Sequence, residues 1–96
     1  MLNAKDRATL KSIATNLKDL VFIGKEGLTE SVIDQIDDNL YAHELIKIKV
    51  QKSVVDEIRE LAYKIAETCE AEIVSVIGSK ILVYKVTSKP KFKHLL

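Results

Sequence analysis

Leu10, Ile13, Ala14 and Leu17 recur at helical spacing in a stretch that opens on Asn3, an acceptable helix N-cap, so the pattern predicts a first helix over residues 3–18. A short apolar run, Leu20 to Ile23, then stands between Asp19 and Gly24 and reads as a buried strand. Thr29 is placed to cap a second helix in which Val32, Ile33, Ile36 and Leu40 point inward while Glu30, Asp34, Asp37 and Asp38 point out. The run Leu45-Ile46-Lys47-Ile48-Lys49-Val50 alternates with period two. It predicts a strand with Ile46, Ile48 and Val50 on one face and Lys47 and Lys49 on the other. Ser53 and Asp56 resemble a capping box, and a third helix follows whose stripe is Ile58, Ala62, Ile65 and Cys69 beside Leu61.

Two more strands are predicted, over 72–77 and 81–86, joined through Gly78-Ser79-Lys80 in a short hairpin connection. Both faces of this pair carry apolar residues, so either Val74 with Val76 or Ile73 with Ile77 is the inward set. Tyr84 alternates with Leu82 and Val86 on the expected core face, and Tyr41 and Tyr63 read as amphipathic boundary residues. The order α-β-α-β-α-β-β makes the chain an α/β protein. The expected architecture is a two-layer sandwich, a four-stranded mixed sheet with its helices on one face. At 96 residues and 47% hydrophobic content it forms one domain, in which residues 87–96, with Pro90 among lysines, read as a poorly ordered basic tail.

Charge changes this picture because it is sorted along the chain. The formal net charge is only +1, yet residues 26–46 hold six acids and no Lys or Arg, while 73–96 hold five lysines and no acid. Residues 1–25 carry five basic groups against two acidic ones, and Lys47, Lys49 and Lys52 follow within six positions. Such sorting builds one basic and one acidic face on a small domain, and a basic face suits a polyanion. Arg7, Lys11 and Lys18, four and seven apart, share a stripe of the first helix. Together with Lys25, Lys47 and Lys49 they are the expected contact cations.

The segment Gly24-Lys25-Glu26-Gly27-Leu28-Thr29 places a lysine-bearing Gly-x-x-Gly loop between a strand and a helix. Two glycines three apart allow a sharp turn and close backbone approach, and the helix start behind them offers unpaired amides and a positive dipole end. The expected role is to hold a phosphate on backbone amides, with Lys25 adding a point charge, Thr29 capping the helix and Glu26 turned away. An ordinary strand-to-helix turn has the same glycine spacing.

Other chemistries find little support. Cys69 continues the apolar stripe of the third helix, so a buried, inert thiol is expected, without disulfide or metal. His43 and His94 form no ligand cluster, and no catalytic dyad, triad or Walker loop is present, so the chain is expected to be no enzyme and to need no cofactor. Five aromatics and no Trp argue against an extensive base-stacking platform. No stretch is long and apolar enough to span a bilayer, and the first residues lack a signal-peptide core, which suggests a cytoplasmic chain.

Three separated motifs carry a family resemblance across essentially the whole chain. Gly24-Lys25-Glu26-Gly27-Leu28-Thr29, His43-Glu44-Leu45-Ile46-Lys47-Ile48-Lys49-Val50, and Val76-Ile77-Gly78 before Leu82-Val83-Tyr84, with Arg7, Leu10 and Lys11 ahead of them, resemble the CRM (chloroplast RNA splicing and ribosome maturation) domain. The resemblance is to its single-domain, YhbY-like bacterial form. It implies an RNA-binding module with a fold similar to the C-terminal domain of translation initiation factor three, associated with ribosomal RNA in large-subunit precursors; the chain is expected to be a monomer. The chain departs from the family in having Thr15 where a His is common and Asp19 where a Pro precedes the first strand, and the acid lowers the local basic field. The alternative reading is a protein-interaction module whose acidic helices dock a basic ribosomal or assembly protein.

Overall fold

The computed structural model describes residues 2–96. Its elements are α1 (Ala4–Ala14), β1 (Asp19–Ile23), α2 (Glu30–His43), β2 (Leu45–Val50), a 3-10 helix (Lys52–Glu57), α3 (Ile58–Thr68), β3 (Glu72–Ile77) and β4 (Lys80–Tyr84). The sheet order is β1-β2-β4-β3, with β1 and β2 parallel across the α2 crossover and the other pairs antiparallel. The α/β class, the element order and the mixed four-stranded sheet are those the sequence predicts.

Local chemistry sets the boundaries. Asn3 caps α1 through a reciprocal pair with Asp6, satisfying two donors at the helix start. The helix stops at Ala14, short of Lys18, where the Leu17 amide turns back to the Ala14 carbonyl at 3.0 Å. Thr29 caps α2, its hydroxyl accepting from the Val32 amide at 3.2 Å. Ser53 and Asp56 form no capping box: Lys52–Glu57 is 3-10, and α3 begins only at Ile58. The adjacent β-branched residues Val54 and Val55 both pack against the core there, and β-branching disfavours the α-helical alternative. β4 ends at Tyr84 because its partner strand begins at Leu45, the residue it pairs with.

The helices do not share one face, and this corrects the expected two-layer arrangement. α2 and α3 cover one side, where Val21, Ile23, Ile46, Ile48, Val50, Ile81 and Val83 meet Ile36, Leu40, Leu61 and Ile65. α1 lies on the other side, where Leu10 and Ala14 bury Leu45, Val74, Leu82 and Tyr84. The alternation of β2 and β4 demands this second cover, since Leu45, Leu82 and Tyr84 are out of phase with Ile46, Ile81 and Val83. Tyr84 and Leu82 therefore belong to the smaller core, while Val86 is exposed. Neither candidate pair in β3 is the inward set. A register shift between Ile73 and Ser75 puts Ile73 and Val76 toward α2 and α3, and Val74 toward α1.

Arg7 secures this irregular edge strand. Its Nη1 donates to the carbonyls of Ile73 at 2.6 Å and Val74 at 3.0 Å, supplying donors where the shifted ladder lacks them. Arg7→Met keeps the aliphatic stem but leaves both carbonyls unmatched, and is expected to lower stability by about 1–3 kcal/mol. Urea unfolding of the variant beside the parent measures it.

Glu44 joins the two ends of the chain. It sits between α2 and β2 at a φ of 70° and is fully buried. Its carboxylate accepts from the amides of Thr87 and Leu95, both at 3.0 Å, and pairs with His94 Nδ1. Thr87 adds a 2.6 Å hydrogen bond from its hydroxyl to the Tyr41 carbonyl. The segment after β4, without regular structure, is thus folded back against the body.

Candidate nucleic-acid interface

α1 covers only part of its side of the sheet. Beyond its C-terminal end a row of side chains crosses all four strands: Phe22 on β1, Lys49 on β2, Lys80 on β4 and Ile77 on β3, each paired in register with the next. Each flanks residues buried against α2 or α3, so all four project to the α1 side. Phe22 is 53% exposed and Ile77 63% exposed. Lys80 makes a 3.1 Å ion pair with Asp19, whereas Lys49 is exposed with no ion pair among the described residues.

The row opens into a groove of about 330 Å³ along α1, lined by Lys11, Thr15, Lys47, Ser75, Ile77 and Lys80. Lys47 is half-buried here because its Nζ donates to the Leu17 carbonyl at 3.0 Å, anchoring the chain between α1 and β1. Lys11 is exposed. The groove therefore collects four ammonium groups, counting Lys49 in the adjoining row, with Asp19 as the acid bonded to one of them.

The Gly-x-x-Gly loop stands at the same end of the sheet. It is a turn closed by the Gly27 amide on the Gly24 carbonyl at 3.0 Å. The Lys25 amide donates to Gln51 Oε1 at 3.0 Å, and the Thr29 amide to the Gly27 carbonyl at 3.1 Å. A Cβ on Gly24 would lie 3.3 Å from Gln51 Oε1 and 3.7 Å from the Phe22 ring. Gly24 thus fits the turn between the ring and Gln51. Gly27 has open space around it and a φ of +72°, the left-handed region that glycine enters without penalty. Three amides of the loop are thus already satisfied, those of Gly27 and Thr29 within it and that of Lys25 by Gln51. Exposed Glu26 and Glu30 also stand beside the α2 start, and their charge competes with an anion.

The structure accordingly divides the sequence-derived residues. Lys11 and Lys47 line the groove, Lys49 stands in the adjoining row, and Gly24, Lys25, Glu26, Gly27 and Thr29 form the loop at the same end of the sheet. Arg7 is engaged with the β3 carbonyls, and Lys18 lines a separate recess with Ile13, Leu20, His43 and Leu95. Phe22, Lys80 and Ile77 are additions from the structure. Their signal was present, since Leu20 and Phe22 alternate with Val21 and Ile23, but an apolar run of that length reads as buried on both faces.

The opposite surface differs in sign. α2 exposes Asp34, Asp37 and Asp38, the 3-10 helix Glu57, and α3 Glu60 and Glu67 beside Arg59 and Lys64, with Tyr41 and Tyr63 among them, so the acidic character is concentrated on α2. Cys69 lies beneath, 2% exposed. Burial, with the Asp37 carboxylate adding to it, pushes its thiol up to about 12. The native protein is therefore expected to resist thiol-directed alkylation at neutral pH, reacting only after denaturation. No group of three or more potential metal ligands gathers among the described residues, and no described helix is long and apolar enough to cross a membrane.

Residues 2–85 match the family model of the CRS1/YhbY (CRM) domain. The chain belongs to this family. Its relatives include "Probable RNA-binding protein MJ0652" of Methanocaldococcus jannaschii, 36% identical over 102 residues that cover 96% of this chain and 75% of that protein. "Probable RNA-binding protein YqeI" of Bacillus subtilis is 31% identical, with 95% of each chain covered. The solution structure of the hypothetical protein SAV1595 from Staphylococcus aureus superposes with a TM-score of 0.80 at 41% identity, covering 95% of both chains. The CRM fold thus accounts for the whole α/β body, with the basic groove and the loop at one end of its sheet.

Proposed function

We propose that this CRM domain binds RNA through the lysine-lined groove and the adjoining open end of the sheet. The observation that carries the reading is the convergence of Lys11, Lys47, Lys49 and Lys80 beside exposed Phe22 and the glycine loop. Closely spaced ammonium groups repel one another, and a phosphate backbone relieves that repulsion while releasing counterions. The relatives named as probable RNA-binding proteins share nearly the full length of this chain, which supports the same partner class.

In this reading the RNA is ribosomal, within large-subunit precursors, and the protein acts on assembly as a cytoplasmic monomer without catalysing a reaction. Lys11, Lys49 and Lys25 contact phosphates directly, while Lys47 and Arg7 hold α1 against the sheet. Gly24 and Gly27 keep the loop low enough for the backbone to pass, and Thr29 fixes the start of α2. Lys18 lies at the margin of the contact.

Crosslinking in cells followed by sequencing of the attached RNA tests the target. Enrichment of large-subunit precursor RNA is expected, and enrichment of messenger or transfer RNA instead would overturn the ribosomal assignment. A second reading has its own observation: exposed Tyr41 and Tyr63 among the acids of α2 and α3 would suit a basic protein. Loss of cellular function on neutralising those acids, with RNA binding intact, would favour it.

A further inference from the structure

The cross-strand row is arranged against its own stability. Lys49 and Lys80 are paired directly across β2 and β4, where like charges are unfavourable, and Asp19 offsets only Lys80. The neighbouring position on β1 is held by an aromatic ring that is 53% exposed. A strand spacing of about 5 Å places Lys49 one step and Lys80 two steps from that ring.

We infer that this row is a stacking seat for one unpaired nucleotide of the bound RNA, its base lying on Phe22 and its flanking phosphates on Lys49 and Lys80. The inference rests on the RNA-binding reading and deepens it: the domain recognises a loop or bulge within a structured RNA, beyond the shape of a duplex. The occupant follows from the chemistry of the row. A flat apolar ring beside paired cations matches a ligand that carries a π-face and negative charge together, and each base of a single strand does so. A duplex offers the charge but keeps its bases stacked internally. One exposed ring accommodates one base; of the other aromatics, Tyr84 lies in the smaller core, Tyr41 and Tyr63 stand on the acidic side, and Phe92 packs against His94.

The test compares two probes, a hairpin RNA with a uridine-rich loop and the blunt duplex of its stem. The parent protein is expected to prefer the hairpin by about five- to a hundredfold, the range typical of one base stacked on an aromatic ring. Phe22→Leu keeps an apolar side chain at a solvent-facing position, and it should abolish the preference for the hairpin over the duplex. Phe22→Tyr should retain it. Irradiation of the hairpin complex should also crosslink a loop uridine to the peptide containing Phe22. Equal binding of both probes by parent and Phe22→Leu, with no such crosslink, would overturn the stacking seat and leave RNA binding standing. Failure of both probes to bind the parent at low salt would overturn the stacking seat and the RNA-binding reading together.

Discussion

Reversing two charges, Lys11→Glu with Lys49→Glu, is expected to weaken RNA binding on the order of a hundredfold at low salt, about tenfold for each reversed charge. Both residues are exposed, and neither side chain has a hydrogen-bond or ion-pair partner among the described residues, so the fold should be indifferent to the change. The logarithmic dependence of affinity on salt should flatten by about two units, one for each lost phosphate contact. Neutralising Asp38 and Glu60 on the opposite surface supplies the control, because it alters net charge without touching the groove. The control raises net charge by two where the groove variant lowers it by four, so if it strengthens binding by about half the groove variant's logarithmic loss, the effect is one of total charge, and the groove is not the contact. Fluorescence anisotropy with a structured RNA, repeated across a salt series, separates these outcomes.

The largest expected effect on stability is at Glu44. Its carboxylate accepts two backbone amides and pairs with His94 while fully buried. Glu44→Ala leaves those donors unmatched and frees the segment from Thr87 to Leu95. We expect a loss of about 2–4 kcal/mol, read from urea unfolding. Burial alone would raise the Glu44 pKa, but the hydrogen bonds from Thr87 and Leu95, with His94, outweigh it and hold the carboxyl below its ordinary value of 4.5. A carboxyl lowered in the folded state stabilises the protein fully above its unfolded value. That contribution is lost as pH falls from about 4.5 through the folded pKa. The parent should therefore lose stability below that pH, and Glu44→Gln should lose less of it over the same range. An identical acid profile in both would contradict the assignment.

Much of the fold was legible because the periodicities are clean. Residues 46–50 alternate without exception, and the Thr29 cap and the stripe ending at Cys69 appear where the pattern puts them. What the pattern does not contain is the choice of sheet face for α1. A helical stripe specifies that a helix is amphipathic, but the surface it covers is fixed by which strand residues are left out of phase, here Leu45, Leu82, Tyr84 and Val74. The irregularity in β3 hid that phase, since a single displaced residue reverses the alternation.

The candidate site was legible in part for a related reason. Lys49 reads correctly from strict alternation, and the loop reads from its glycines. Arg7 looks like a surface cation until the displaced β3 carbonyls appear beside it, and Lys47 until the Leu17 carbonyl does. Long side chains of this kind carry charge whether they bind a ligand or a backbone oxygen, so the distinction rests on tertiary neighbours. The row from Phe22 to Ile77 depends on strand order and register, which no local pattern encodes.

The central claim, that RNA lies on the α1 side of the sheet at its loop end, is tested most directly by titrating the labelled protein with a hairpin RNA and following its backbone amide resonances. Shifts are expected at Lys11, Phe22, Gly24 to Gly27, Lys49 and Lys80, with the exposed acids of α2 and α3 unmoved. Shifts confined to α2 and α3, with Phe22, Lys49 and Lys80 unchanged, would contradict it.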